Sequence, residues 1–263
     1  MRQQVGWRRL NRDQAIVAVA LAILAGLAWI YTILLSGSLG GFDLHGLMAM
    51  PPQGEWTLVD LSLTFLMWAV MMAAMMIPSA MPMILLFSAI ERRRQAAAAL
   101  ARTPAFVSGY AAAWGGFSLL AALAQWGLHD GAMLGSAVGR LVPWAAAAVL
   151  ALAGLYQLSP LKQTCLRHCN SPLEFLTRHW QPGGAGALRM GIRYGGYCLG
   201  CCWALMLVLF VVGVMNILWV ALIAIVVLLE KLLPAREWLR MALGAALLLW
   251  SVAVATSSIH AWM

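Results

Sequence analysis

Residues 197–203 read Tyr197-Cys198-Leu199-Gly200-Cys201-Cys202-Trp203 and lead into an apolar run that continues to residue 212. In a helix, Cys198 lies three residues from Cys201 and four from Cys202, so the three thiols face one side. Thiols gathered in this way suit a soft metal ion or a dithiol redox pair. This stretch therefore predicts a membrane helix with a chemical site at its beginning.

The composition predicts an all-α membrane protein. Of the 263 residues, 63% are hydrophobic and 10% are charged, and the mean hydropathy is +0.84. A soluble domain of this size cannot bury so much apolar surface. Because about 20 apolar residues cross a bilayer, the sequence predicts one integral membrane domain over residues 1–263, a polytopic bundle of about seven transmembrane helices. Six helices with a re-entrant segment at residues 195–216 are the alternative.

The basic residues predict how the chain is oriented in the membrane. The net charge is +8, but the arginines and lysines form short clusters at the ends of the apolar runs. This distribution is typical of membrane topology and argues against a nucleic-acid partner. Clusters at residues 1–13, 91–102, 161–194 and 230–240 are expected on the cytoplasmic side, with the N-terminus inside and the C-terminus outside. The lipid bilayer is the first predicted partner.

A second group of thiols lies earlier in the chain. Cys165 and Cys169 are four residues apart, with His168 between them, and the chain has no cysteine outside the two groups. The topology puts this group after the fourth helix and the other at the start of the fifth helix, near Gly195, both at the cytoplasmic boundary. We therefore expect both groups to contribute to one site.

Methionines form two rows along the second apolar run, residues 60–89. Met67, Met71 and Met75 are spaced by four residues, and Met72 and Met76 form a neighbouring row. Methionine is also a pliable filler of helix interfaces, so packing alone is one explanation of the stripe. Next to two thiol groups, however, the thioethers favour a chain of soft metal ligands through the membrane.

The sequence predicts a metal site whose ligands are sulfur atoms and one imidazole: Cys165, His168, Cys169, Cys198, Cys201, Cys202, Met71, Met72, Met75 and Met76. Three or four thiolates, with or without an imidazole, suit tetrahedral zinc, whereas two or three thiolates with thioethers suit Cu(I). Copper is the predicted metal and zinc the alternative. Met48 and Met50, in the predicted outer loop of residues 36–59, extend the relay to the outer surface.

Other functions are disfavoured by what the apolar runs lack. No histidine lies deep in a run, which argues against a haem held by paired imidazoles. No charged residue lies near the midpoint of a run, which argues against ion-coupled transport. Motifs for nucleotide-driven pumping are missing too.

Four segments together carry a resemblance: Met67-Trp68-x-x-Met71-Met72-Ala73-Ala74-Met75-Met76-x-Pro78; Tyr156-Gln157-Leu158-Ser159-Pro160-Leu161-Lys162-x-x-Cys165; Gly196-x-Cys198-x-Gly200-Cys201-Cys202-Trp203; and Gly213-x-Met215-Asn216 with Glu230-Lys231. With these motifs the chain resembles a bacterial family of predicted metal-binding integral membrane proteins. The resemblance implies a location in the bacterial cytoplasmic (inner) membrane and the handling of copper, and it supplies no reaction.

Three hypotheses about function stay open at this point. The first is a copper-binding membrane protein that acquires, relays or delivers Cu(I), with a metalloprotein or a copper chaperone as partner. The second is a membrane thiol–disulfide oxidoreductase in which Cys198 and Cys201, or Cys165 and Cys169, cycle, although the reducing cytoplasm opposes it. The third is a membrane subunit of a larger metalloenzyme, in which the cysteines only pack.

Overall fold

The chain folds into a bundle of helices. The computed structural model describes residues 12–36, 57–94, 96–131, 133–135, 140–214, 216–233 and 236–260. These residues form nine helices and one antiparallel pair of two-residue strands: α1 (Arg12–Leu35), α2 (Leu58–Arg94), α3 (Ala96–Asp130), β1 (Leu134–Gly135), β2 (Arg140–Leu141), α4 (Pro143–Leu158), α5 (Pro160–Asn170), α6 (Pro172–His179), α7 (Gly183–Val212), α8 (Ile217–Leu232) and α9 (Arg236–His260). The predicted all-α class is confirmed.

Several helices are long and apolar enough to cross a membrane. Helices α1, α2, α3, α7 and α9 each contain such a segment, and α4 with α5 provides one more broken span or a re-entrant segment, since their axes differ by 63°. Helix α8 is apolar but only 16 residues long. All seven predicted apolar runs are thus helical, which is consistent with a multi-pass membrane protein. The bend lies between α4 and α5 instead of within residues 195–216.

Large apolar side chains at the surface fit a lipid environment. Leu27 on α1 is 58% exposed and Leu249 on α9 is 72% exposed, and similar side chains line the outward faces of α4 and α8. Soluble monomers rarely leave such wide apolar surfaces in water. In a bilayer, acyl chains cover these faces at no cost.

Residues 161–194, predicted to connect the fourth and fifth membrane helices on the cytoplasmic side, contain α5, α6 and the first part of α7. Pro160, expected to end the fourth helix, also starts α5 at its first turn, where its missing N–H costs nothing. The Ser159 hydroxyl caps the same helix by accepting a bond of 3.3 Å from the backbone N–H of Lys162.

Helix α7 begins at Gly183, not near Gly195 as predicted, because its glycines serve packing. A Cβ atom at Gly191 would lie 2.0 Å from the Phe106 carbonyl oxygen, and one at Gly109 would lie 2.2 Å from the Leu188 carbonyl oxygen. The backbones of α3 and α7 therefore touch directly, a contact that small residues allow between membrane helices. Closely spaced glycines, which in a sequence suggest a solvent-exposed loop, here form a helix–helix interface.

We expect Gly191→Ala to lower the thermal unfolding temperature, because the new methyl group has no room between α3 and α7. Overpacking costs about 1–3 kcal/mol when the structure relaxes, and backbone atoms relax less than side chains. Gly196→Ala is the matched control, since a Cβ atom there meets nothing within 4 Å. Thermal unfolding of both variants in the same detergent checks this, and equal melting shifts would contradict the proposed backbone contact.

Candidate metal centre

Cysteines from both groups meet between α5 and α7. Cys169, Cys198, Cys201 and Cys202 are all buried. The Cys169 thiol lies close enough to the thiols of Cys198 and Cys201 to interact with them electrostatically, and the Cys202 thiol interacts in the same way with the other two on α7. We call these four residues the thiol cluster. All five cysteines of the chain are free thiols.

The thiol cluster follows directly from helical spacing on α7. Because the Cys201 and Cys202 side chains rise from one face, their thiols both donate to the Cys198 carbonyl oxygen, each over 3.0 Å. Within the part of the chain that the structure describes, no three His, Cys, Asp or Glu side chains are arranged as a metal site. The thiols of Cys201 and Cys202 are therefore hydrogen-bonded to the backbone, and a metal ion bound to them would have to replace those hydrogen bonds.

The Cys198 sulfur has two polar neighbours that the sequence did not predict. The Lys231 ammonium of α8 donates to it over 3.0 Å, and the Tyr110 hydroxyl of α3 lies 3.2 Å from it. The ammonium also donates to the Ser79 hydroxyl of α2 over 2.8 Å. Lys231 follows Glu230 in one of the motifs that carry the resemblance to a metal-binding family, and that motif was the one available signal.

One predicted thioether ligand lies against the thiol cluster. The Met76 sulfur is 4.0 Å from the Cys202 sulfur, and Met76 is fully buried on α2. Met71, Met72 and Met75 are buried on the same helix. Met71 also lines, together with Met67 and residues of α1 and α8, a small cavity of about 10 Å³.

Cys165 and His168 lie outside the thiol cluster. Cys165 is half-buried and packs on α7, where a Cβ atom at Gly200 would lie 2.8 Å from its sulfur. The His168 ring stacks on the Tyr197 ring with centroids 4.6 Å apart, and its Nδ1 atom pairs with the Thr164 carbonyl oxygen. Met48 and Met50, the predicted outer end of the relay, lie outside the described residues.

A buried ion pair fixes the helix ends next to the thiol cluster. The Lys162 ammonium donates to both carboxylate oxygens of Glu230 over 2.7 and 3.0 Å, and these residues are 0% and 2% exposed. The Gln157 side chain bonds to both partners, and Arg240 donates to the Gln157 carbonyl oxygen. The network joins α4, α5, α8 and α9. Because Glu230 precedes Lys231, the network also sets where the Lys231 side chain begins.

Comparison with protein-family models finds a match. The family model for PpoB2, described as copper chaperone, matches residues 65–254. The chain belongs to the PpoB2 copper chaperone family. The matched segment contains all five cysteines, Met71, Met72, Met75 and Met76. Searches among curated proteins and among solved structures gave no match. Family membership supports the predicted relation to copper and the resemblance to a metal-related bacterial family.

We expect Lys162→Met to destabilise the protein strongly, because it leaves the Glu230 carboxylate buried without its cation. Breaking a buried ion pair by removing one member costs about 3–5 kcal/mol. The matched control is Arg178→Ala, which breaks the pair with Glu174 whose side chains are 67% and 54% exposed. Such an exposed pair contributes about 0–1 kcal/mol. Thermal unfolding in one detergent compares them, and similar shifts for both variants would show that the buried pair is dispensable.

Proposed function

We propose that this chain binds Cu(I) at the thiol cluster and Met76, and hands the ion on to a copper protein. The observation that carries the proposal is the convergence of Cys169 from α5 with three thiols from α7, all buried, beside a thioether from α2. Membership of a copper chaperone family supports the same cargo. Residues so far apart in the chain meet only because the fold brings α5 onto α7.

The donor set supports Cu(I) over zinc as the cargo. Thiolates and thioethers are soft ligands, which suit Cu(I), whereas zinc uses thiolates, imidazoles and carboxylates. Met76 supplies a thioether at the cluster, and the imidazole of His168, the one predicted histidine ligand, is engaged with Tyr197 and Thr164. Two or three of the four thiols are enough to hold Cu(I), so the others are available to exchange with a partner's ligands.

We further propose that methionines carry the ion between the thiol cluster and the other membrane face. Met72 and Met76 form one row on α2, and Met67, Met71 and Met75 form the neighbouring row. Met206 on α7 adds a buried thioether four residues after Cys202. Thioethers bind Cu(I) without charge and release it readily, which suits transfer better than storage.

The proposed location is the bacterial cytoplasmic (inner) membrane, with the N-terminus in the cytoplasm and the C-terminus outside. This orientation follows from the basic clusters at residues 91–102 and 161–194, which fall on one side of the bundle in the predicted topology. The thiol cluster then lies toward the cytoplasmic half. The partner we propose is a metalloprotein or a second copper chaperone.

We expect the purified protein to hold Cu(I), and the double variant Cys198→Ser with Cys201→Ser to lose most of it, because serine is a poor ligand for a soft ion. The matched control is Cys165→Ser, which changes a half-buried thiol outside the cluster and is expected to keep most of the copper. Metal analysis after dialysis under reducing conditions gives the metal-to-protein ratio. Absence of copper from the wild-type protein would reject the proposal. Thiol trapping that finds a reversible Cys198–Cys201 disulfide instead would favour the oxidoreductase.

We expect Met72→Leu with Met75→Leu to leave equilibrium binding of Cu(I) nearly unchanged and to slow its transfer. Leucine has a similar volume, so the fold is kept, but it offers no sulfur. Met83→Leu, which also replaces a buried methionine of α2, is the matched control. The measurement is the rate at which Cu(I) reaches a chelator enclosed in proteoliposomes. Equal rates for all three proteins would remove the relay from the proposal.

A further inference from the structure

We infer that Lys231 makes the thiol cluster selective for monovalent over divalent metal ions. The inference rests on the proposed function, since it concerns the cargo of the same site. Lys231 then affects which metal ion binds, but it is not itself a ligand of the ion. An ammonium group has three donors and no lone pair, so it cannot coordinate a cation.

The position of the ammonium supports this role. Its nitrogen lies 3.0 Å from the Cys198 sulfur and 2.8 Å from the Ser79 hydroxyl oxygen. Because a bond between a metal and a thiolate is about 2.3 Å long, an ion bound to Cys198 lies at most about 5 Å from the ammonium. The Lys231 ammonium and the bound metal ion therefore contact the same sulfur atom, that of Cys198.

The charge of Lys231, which is partly buried, is directed at sulfur, unlike that of the fully buried Lys162. Lys162 is neutralised by the Glu230 carboxylate over 2.7 Å. Among the described residues, no ion pair joins Lys231 to a carboxylate, and its ammonium donates hydrogen bonds to a thiol and a hydroxyl. A positive charge thus remains at the edge of the thiol cluster until thiolates form there.

A fixed positive charge at this distance discriminates by valence. It stabilises thiolates, and it repels a divalent ion twice as strongly as a monovalent ion at the same place. At an effective dielectric constant of about 20, one additional unit of charge at about 5 Å changes an equilibrium constant by about 200- to 300-fold. Relaxation and partial exposure of the lysine reduce this, so we expect a contribution of about tenfold to a hundredfold in favour of Cu(I) over Zn(II).

The fold keeps the ammonium in place. The neighbouring Glu230 is held by Lys162 and Gln157, so the end of α8 is anchored to α4 and α5. Ser79 holds the ammonium from the opposite side, on α2. Held between two helices, the ammonium is preorganised, unlike the ammonium of a flexible surface lysine.

The experiment compares dissociation constants of the full-length protein in detergent for Cu(I) and Zn(II), each measured by competition with a chelator under reducing conditions. Lys231→Met and Lys231→Gln remove the charge, and Lys231→Arg keeps it. Ser79→Ala removes the second partner of the ammonium but leaves the charge. We expect the preference for Cu(I) to fall by about tenfold to a hundredfold in the two neutral variants, and to stay close to the wild-type value in Lys231→Arg and Ser79→Ala.

The outcomes separate this inference from the proposed function. A wild-type protein that binds no Cu(I) rejects the function itself. A protein that binds Cu(I) with the same preference in wild-type and both neutral variants overturns only the role of Lys231, as does loss of the preference in Lys231→Arg. If neither neutral variant folds, binding of Ag(I) and Cd(II) by the wild-type protein decides: tighter binding of Ag(I) supports the inference, and equal or tighter binding of Cd(II) overturns it.

Discussion

The contact between the backbones of α3 and α7 is the constraint on which the thiol site depends. Gly109 and Gly191 remove the side chains that would separate the two helices. The face of α7 that contacts α3 continues from Gly191 through Tyr194 to Cys198, and Tyr110 follows Gly109 on α3. The helix register that the glycines fix therefore brings the Tyr110 hydroxyl to the Cys198 sulfur. Polar contacts at the site are therefore a result of close packing one to two turns away.

Hydrophobic periodicity and residue chemistry predicted most of the architecture. The apolar runs gave all seven main helices, and basic clusters with two thiol groups led to the expectation that Cys169 and the α7 cysteines meet. The short helices α5 and α6 were missed because 11 and 8 residues rich in polar side chains resemble a loop in sequence. Their helical form depends on packing against α7 and on capping, and neither is visible in local composition.

The polar neighbours of the thiols could not be predicted from the sequence, for a different reason. Lys231 and Tyr110 come from helices distant in the chain, and their contacts with Cys198 depend on the mutual rotation of α3, α7 and α8. A lysine at the end of an apolar run is usually an interfacial anchor. Only the three-dimensional arrangement distinguishes Lys231, which is directed at sulfur, from Lys162, which is directed at a carboxylate.

Helix α2 contains two prolines next to the site, and a backbone carbonyl beside them contacts the same side chains that surround the sulfur. Pro78 and Pro82 cannot donate backbone hydrogen bonds. Between Met75 and Pro78, the Met76 carbonyl oxygen accepts from the hydroxyl of Tyr110 and from that of Ser79. Tyr110 also contacts Cys198, and Ser79 also holds Lys231. The backbone of α2 and the electrostatic surroundings of Cys198 are thus linked through Tyr110 and Ser79, so a shift of α2 at Met76 would disturb two hydrogen bonds to its carbonyl oxygen together with the polar neighbours of the thiol.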